Sequence, residues 1–159
     1  MKSQPLPAAR LAGRFKRIHT QLSELFQKTP DPIARMATAA ALLHHKLPHF
    51  FWTGFYRLID EDLIVGPYQG PLACSVLQRG KGVCWACVRE DRALLVADVH
   101  QFPDHIACDA RSRSEVAVPV RDRTGGIQAV LDVDATRPNA FSAVDVEGLQ
   151  RIADLIWGG

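Results

Sequence analysis

The sequence predicts an α+β fold in one domain, with an antiparallel sheet of short strands covered by helices. Two observations carry this. Apolar residues recur at helical spacing near both ends of the chain, and between them lie short β-rich runs punctuated by Gly, Pro and Asp turn signals. The 159 residues, 47% of them apolar, suit one sizeable core. No internal repeat, linker or low-complexity tract divides them. Residues 1–9 read as a flexible tail and 10–159 as the domain.

Leu11, Phe15, Ile18, Leu22, Leu25 and Phe26 step by threes and fours, placing one apolar stripe on a first amphipathic helix. Asp31 before Pro32 supplies a cap and a first-turn proline for a second helix, which runs through Ala39 to Leu47 and stops at Pro48. Phe50 to Arg57 is an aromatic strand whose hairpin partner, Leu63 to Val65, lies across the Asp60-Glu61-Asp62 turn. From Gly66 to Gly82 the glycines and prolines predict short strands and loops, then a brief helix over Val83 to Arg89 and a strand at Leu94 to Val96. Asp98 to Arg113 has no period, and a loop of that length inside one domain is usually functional. Glu115 to Val120 and Ile127 to Val133 form a hairpin over Asp122-Arg123-Thr124-Gly125-Gly126. Ser142 with Asp145 is a capping box opening a last helix along Leu149, Ile152, Ile156 and Trp157, closed by Gly158.

A net charge of +2 predicts no nucleic-acid footprint; Arg10, Arg14, Lys16 and Arg17 read as the solvated face of the first helix. No stretch is apolar enough to span a bilayer, and the N-terminus lacks the h-region of a secretory signal, so no membrane and a cytoplasmic address are expected. In that reducing setting, cysteines serve redox chemistry or metals more often than structural disulfides.

Three of the four cysteines sit in polar, glycine-marked segments: Cys74 after Gly70-Pro71-Leu72-Ala73, Cys84 after Gly80-Lys81-Gly82-Val83, and Cys108 after His105-Ile106-Ala107. A packing cysteine prefers an apolar run, whereas a reactive one needs a partly exposed site. Three readings compete. Cys84-x-x-Cys87 and His105-x-x-Cys108 have ligand-like spacing for a structural zinc, although a strand separates the pairs. A thioredoxin-like Cys-x-x-Cys lacks its βαβ context. Sulfoxide or peroxide chemistry needs one thiolate to become a sulfenic acid and a second cysteine from another loop to resolve it, and Cys74, Cys84 and Cys108 are spread in that way.

Seven ordered motifs sharpen the choice: Trp52-Thr53-Gly54-Phe55-Tyr56, Gly66-Pro67-Tyr68-Gln69-Gly70 with Ala73-Cys74, Gly80-Lys81-Gly82-Val83-Cys84, Asp98-Val99-His100, His105-Ile106-Ala107-Cys108-Asp109, Ser114-Glu115-Val116 and Leu131-Asp132-Val133-Asp134. Together they resemble the free methionine-(R)-sulfoxide reductases, a family of single GAF-domain enzymes, from about Ala39 to the C-terminus. The resemblance implies a GAF-like sheet of about six antiparallel strands, with terminal helices on one face and a loop-roofed pocket on the other. It implies Cys108 as nucleophile, Cys74 as principal resolving thiol and Cys84 as a secondary one. It also implies recycling by thioredoxin, with electrons ultimately from NADPH, no metal or organic cofactor, and a homodimer as a common assembly.

The residues agree with that chemistry. A sulfoxide oxygen leaves only when protonated, and Glu115, Asp132 and Asp134 form a carboxylate cluster whose mutual repulsion raises at least one pKa. The same cluster can hold the ammonium of a free amino acid. Trp52 and Tyr56, two steps of two apart on one strand face, can wall the S-methyl group. Plain alternatives exist for each: Trp52 and Tyr56 as core residues, Glu115 as a solvated strand start, and His44, His45 and His49 as surface or capping residues. Asp132 and Asp134 alternate within an apolar strand, where an acidic pair is costly without partners, so they favour function. His100 and His105 tune the thiolate or shape the loop without being catalytic. A non-catalytic GAF module that binds a small ligand or senses oxidants through the same cysteines is the alternative function.

Two departures from the family pattern stand out. Cys87 and Trp85 replace small or hydroxyl residues, so Cys87 is an extra thiol able to trap Cys84. Asp104 occupies a position commonly Gly, which carries a penalty if the backbone there needs a positive φ.

Overall fold

The computed structural model describes residues 4–105 and 108–158. Helix α1 (Ala8–Leu25) starts inside the stretch expected to be tail and buries Leu11, Phe15, Ile18 and Leu22 of the predicted stripe; Leu25 is 37% exposed. A single 3₁₀ turn (Phe26–Lys28) leads to α2 (Pro32–Lys46), whose N-cap Asp31 accepts from the Ala34 amide at 2.8 Å. Strands β1 (Trp52–Ile59) and β2 (Asp62–Gln69) form the first hairpin. Helix α3 (Gly82–Glu90), β3 (Leu94–Val96), β4 (Ser114–Arg121), β5 (Ile127–Ala135) and α4 (Ala143–Ala153) complete the chain.

Among the described residues the sheet has five strands, ordered β2-β1-β5-β4-β3 and antiparallel at every joint. Side chains alternate across it with period two. Phe55, Val116, Val118, Val120, Leu131 and Val133 face a core shared with α1, α2 and α4. Trp52, Tyr56, Ala117 and Val130 face a smaller core with Val83, Cys84 and Cys87 of α3. The first layer has three helices over it and supplies most of the buried apolar surface; the second is the site layer.

Two departures from the expected elements have physical causes. The last helix ends at Ala153, short of Trp157, because the amides of Leu155 and Ile156 bond to carbonyls three residues back. Arg35 donates to the freed carbonyls of Leu155 and Ile156 and also to those of Thr29 and Phe26, fastening α2 to both neighbouring chain turns. His49, expected at the surface or at a helix end, is instead 2% exposed. Its Nε2 lies 2.8 Å from Asp145 Oδ1, while Asp145 Oδ2 accepts from the Ser142 amide at 2.9 Å in the predicted capping box. One carboxylate thus caps α4 and pairs a buried imidazole, a partnership no local pattern could announce.

Candidate active site

The ladder pairings assemble the acidic cluster. On β5, Asp134 stands opposite Glu115 of β4 and opposite Trp52 of β1, and Asp132 stands opposite Ala117 and Gly54. All of these side chains point to the α3 side of the sheet. Glu115 is 6% and Asp132 5% exposed, so the reading of Glu115 as a solvated strand start is corrected. Like charges directly across a ladder are unfavourable, and their persistence marks a site. Burial, then the neighbouring Asp132 and Asp134, push the Glu115 carboxyl well up. Burial and Asp132 do the same to Asp134. Burial also raises Asp132, opposed by hydrogen bonds from Glu115 and Cys84. The cluster therefore holds its protons above the ordinary carboxylate range, most strongly on Glu115 and Asp134, and Asp132 is its most readily ionised member. One Asp132 oxygen, Oδ1, is buried without a protein partner.

An aromatic wall closes one side. Trp52 stacks on Tyr56 with ring centroids 5.6 Å apart and on Tyr68 at 5.2 Å, and its indole donates to the Pro71 carbonyl at 3.1 Å. Gly54 makes the wall possible: a Cβ there would run into Tyr68 Cβ and come within 2.7 Å of the Trp52 ring. Tyr68 backs Trp52 without lining the pocket itself, and the sequence reading left it out. Simple alternation from Val65 turns it away from the site, but Phe55 is opposed by both Gly66 and Pro67, and this bulge shifts the parity of β2. A strand glycine between Trp52 and Tyr56, with a proline in the facing strand, was the available signal.

Cys74 and Cys108 are joined in a disulfide with Cα atoms 5.5 Å apart and a sequence separation of 34. Cys108, with Ala73, Leu72, Lys81, His105 and Asp109, rims the hollow above the carboxylates. The two loops meet over the pocket, and Cys108 is the more exposed sulfur partner. Ile106 and Ala107 of the cysteine motif lie outside the described residues. Asp109, held down at about 2 by hydrogen bonds from the Arg111 guanidinium, remains a carboxylate at the rim. His105 Nδ1 lies 4.0 Å from Glu115 Oε2, and burial followed by His100 pushes the imidazole down, keeping it neutral.

Cys84 sits apart from the disulfide, in the first turn of α3, with its sulfur within 4.8 Å of Glu115 and Asp132 carboxylate oxygens. Burial and then those carboxylates hold its thiol well up, so it is a neutral donor here. Cys87 is fully buried in the α3 layer, pushed up to about 12, and both thiols are free. The zinc set read from Cys84, Cys87, His105 and Cys108 is not assembled, because Cys108 is bonded to Cys74. Asp104 does adopt a left-handed φ of +55°, as the departure from Gly anticipated.

The GAF domain family model matches residues 27–158. The free methionine-R-sulfoxide reductase of Escherichia coli is 40% identical over 120 residues, 76% of this chain and 72% of that protein. The chain belongs to the free methionine-(R)-sulfoxide reductase family of GAF-domain proteins. The crystal structure of the free methionine-R-sulfoxide reductase from Neisseria meningitidis, in complex with its substrate, superposes with a TM-score of 0.88 at 32% identity, covering 99% of this chain and 94% of that one. A Dictyostelium discoideum relative known as GAF domain-containing protein A is 36% identical over 144 residues, 90% of each chain. The α+β GAF fold expected of a free methionine-(R)-sulfoxide reductase is therefore present, with the acidic cluster, aromatic wall and Cys74–Cys108 disulfide brought together around one pocket.

Proposed function

We propose that this protein reduces free L-methionine-(R)-sulfoxide to L-methionine. The observation that carries the reading is the Cys74–Cys108 disulfide over a pocket floored by the buried carboxyl groups of Glu115 and Asp132 and the half-buried one of Asp134. In the reduced protein, the Cys108 thiolate attacks the sulfoxide sulfur. A carboxyl that burial keeps protonated, Glu115 or Asp134, delivers a proton to the departing oxygen. The substrate sulfur gains two electrons and leaves as the thioether, while Cys108 takes the oxygen as a sulfenic acid. The Cys74 thiol then displaces water from that sulfur and forms the disulfide seen here.

Asp132, with its unpartnered buried oxygen, binds the substrate ammonium, and Trp52 and Tyr56, backed by Tyr68, pack against the S-methyl end. A peptide-bound residue has no free ammonium to offer, which accounts for the preference for the free amino acid. Resolution falls to Cys74 and not to Cys84, whose buried thiol stays protonated beneath the pocket. A dithiol reductant of the thioredoxin class, supplied from NADPH, attacks the exposed Cys108 side of the disulfide and closes the cycle with no metal or organic cofactor. A reducing, cytoplasmic setting fits that recycling.

The test is NADPH oxidation coupled through thioredoxin, run with each methionine sulfoxide diastereomer. Turnover of the R form alone, lost in Cys108→Ser, is expected. Absence of R-form turnover by fully reduced protein would falsify the reading and favour a ligand- or oxidant-sensing module.

A further inference from the structure

We propose that the floor of this pocket is also a binding site for a borderline-soft divalent cation of the zinc type, held by Cys84 Sγ and by one oxygen each of Glu115 and Asp132. The three ligand atoms lie within 4.8 Å of one another, and all three residues are at most 6% exposed. Zinc–sulfur bonds of about 2.3 Å and zinc–oxygen bonds of about 2.1 Å place tetrahedral ligands roughly 3.5 Å apart. Side-chain rotation of about an ångström therefore closes the set. A thiolate with two carboxylates suits zinc, cadmium or cobalt(II) better than magnesium or calcium, which take oxygen donors alone.

A second observation points to a cation independently of the cluster's composition. Asp132 Oδ1 is buried with no protein partner, and His105 Nδ1, 4.0 Å from Glu115 Oε2, is a second buried atom with none. Both residues line the pocket. An unpaired buried acceptor such as Asp132 Oδ1 is costly in an empty site and is satisfied by a bound cation. Water, or His105 Nδ1, which lies 4.0 Å from Glu115 Oε2, completes the tetrahedron. The cation is an occupant that excludes substrate, since it takes the Asp132 oxygen assigned above to the ammonium; this competition, unlike the site itself, rests on the proposed substrate.

Cobalt(II) titration of the oxidised protein tests the site without turnover. With Cys74 and Cys108 tied in their disulfide, Cys84 and Cys87 are the remaining thiols. A saturable thiolate-to-cobalt charge-transfer absorption is expected in the wild type. It should be abolished by Cys84→Ser and by Asp132→Asn, displaced by zinc, and unchanged in Cys87→Ser. No charge-transfer band, or a band that survives Cys84→Ser, overturns the site. A band that behaves as expected but is not displaced by methionine sulfoxide keeps the cation site and overturns only the competition.

Discussion

Glu115 and Asp134 face each other directly across the β4–β5 ladder, two acidic side chains in a register position where one charge repels the other. Both carboxyls are pushed above the ordinary range by burial and by Asp132. A group whose folded pKa lies above its unfolded value of about 4.3 binds more protons folded than unfolded. Its contribution to stability is complete below that unfolded value and fades as pH rises through the raised one. Glu115→Gln removes this dependence, so the melting temperature of the variant should gain on the wild type as pH climbs from about 4 toward neutrality. A difference that stays flat over this range counts against the buried, proton-holding cluster. The same variant should lose most of its turnover if Glu115 is the donor, with a smaller effect from substituting Asp109 at the rim.

The disulfide should stabilise the oxidised form through the loop it closes. For a separation of 34 residues the chain-entropy estimate is about 4 kcal/mol, or roughly 10 °C for a domain of this size. Thermal melts with and without a strong dithiol check this. The shift should vanish in Cys74→Ser, and a shift of the same size in that variant would assign it to something other than this bond.

Gly54→Ala should disturb the aromatic wall before anything else. The added methyl collides with Tyr68 Cβ and the Trp52 ring. Overpacking of this kind costs about 1–3 kcal/mol. Near-ultraviolet circular dichroism should lose the signature of the stacked rings, and substrate affinity should fall. An unaltered aromatic spectrum in folded protein argues that the rings do not depend on that glycine.

Asp145→Ala should be among the most destabilising single changes, because it strips a buried imidazole of its partner and uncaps α4 together. Leaving a buried polar group unsatisfied costs about 1–3 kcal/mol, and losing the helix cap adds about 1 kcal/mol. Urea unfolding measures the loss. His49 and Asp145 sit among the residues of the three-helix layer, away from the pocket, so turnover per folded molecule should hold.

Much of this architecture is legible in the chain because its signals are local. The stripe of Leu11, Phe15, Ile18 and Leu22, the Asp31–Pro32 start and the Ser142/Asp145 capping box each act within one helix turn or two, and each appears in place. Alternation alone sets Asp132 and Asp134 on one strand face, and the seven motifs bring Cys74, Cys108 and Glu115 into the same frame. What escaped depends on distant partners. His49 is buried because Asp145, 96 residues away, receives it. Tyr68 joins the wall because a bulge shifts its strand's parity. Cys84 is held as a neutral thiol by burial and by carboxyl groups from two strands, a consequence of three-dimensional crowding that spacing along the chain does not encode.

The alternation of β4 and β5 has a price for evolution. Reactive and load-carrying positions are interleaved one by one, with Glu115, Asp132 and Asp134 each next to a fully buried valine or leucine. A single inserted or deleted residue in either strand would rotate the acids into the oily layer and the valines into the reaction chamber. Length in these two strands is thus far less free to drift than side-chain identity, and new specificities in such a protein are more readily reached by exchanging residues on the reactive face or by remodelling the cysteine-bearing loops.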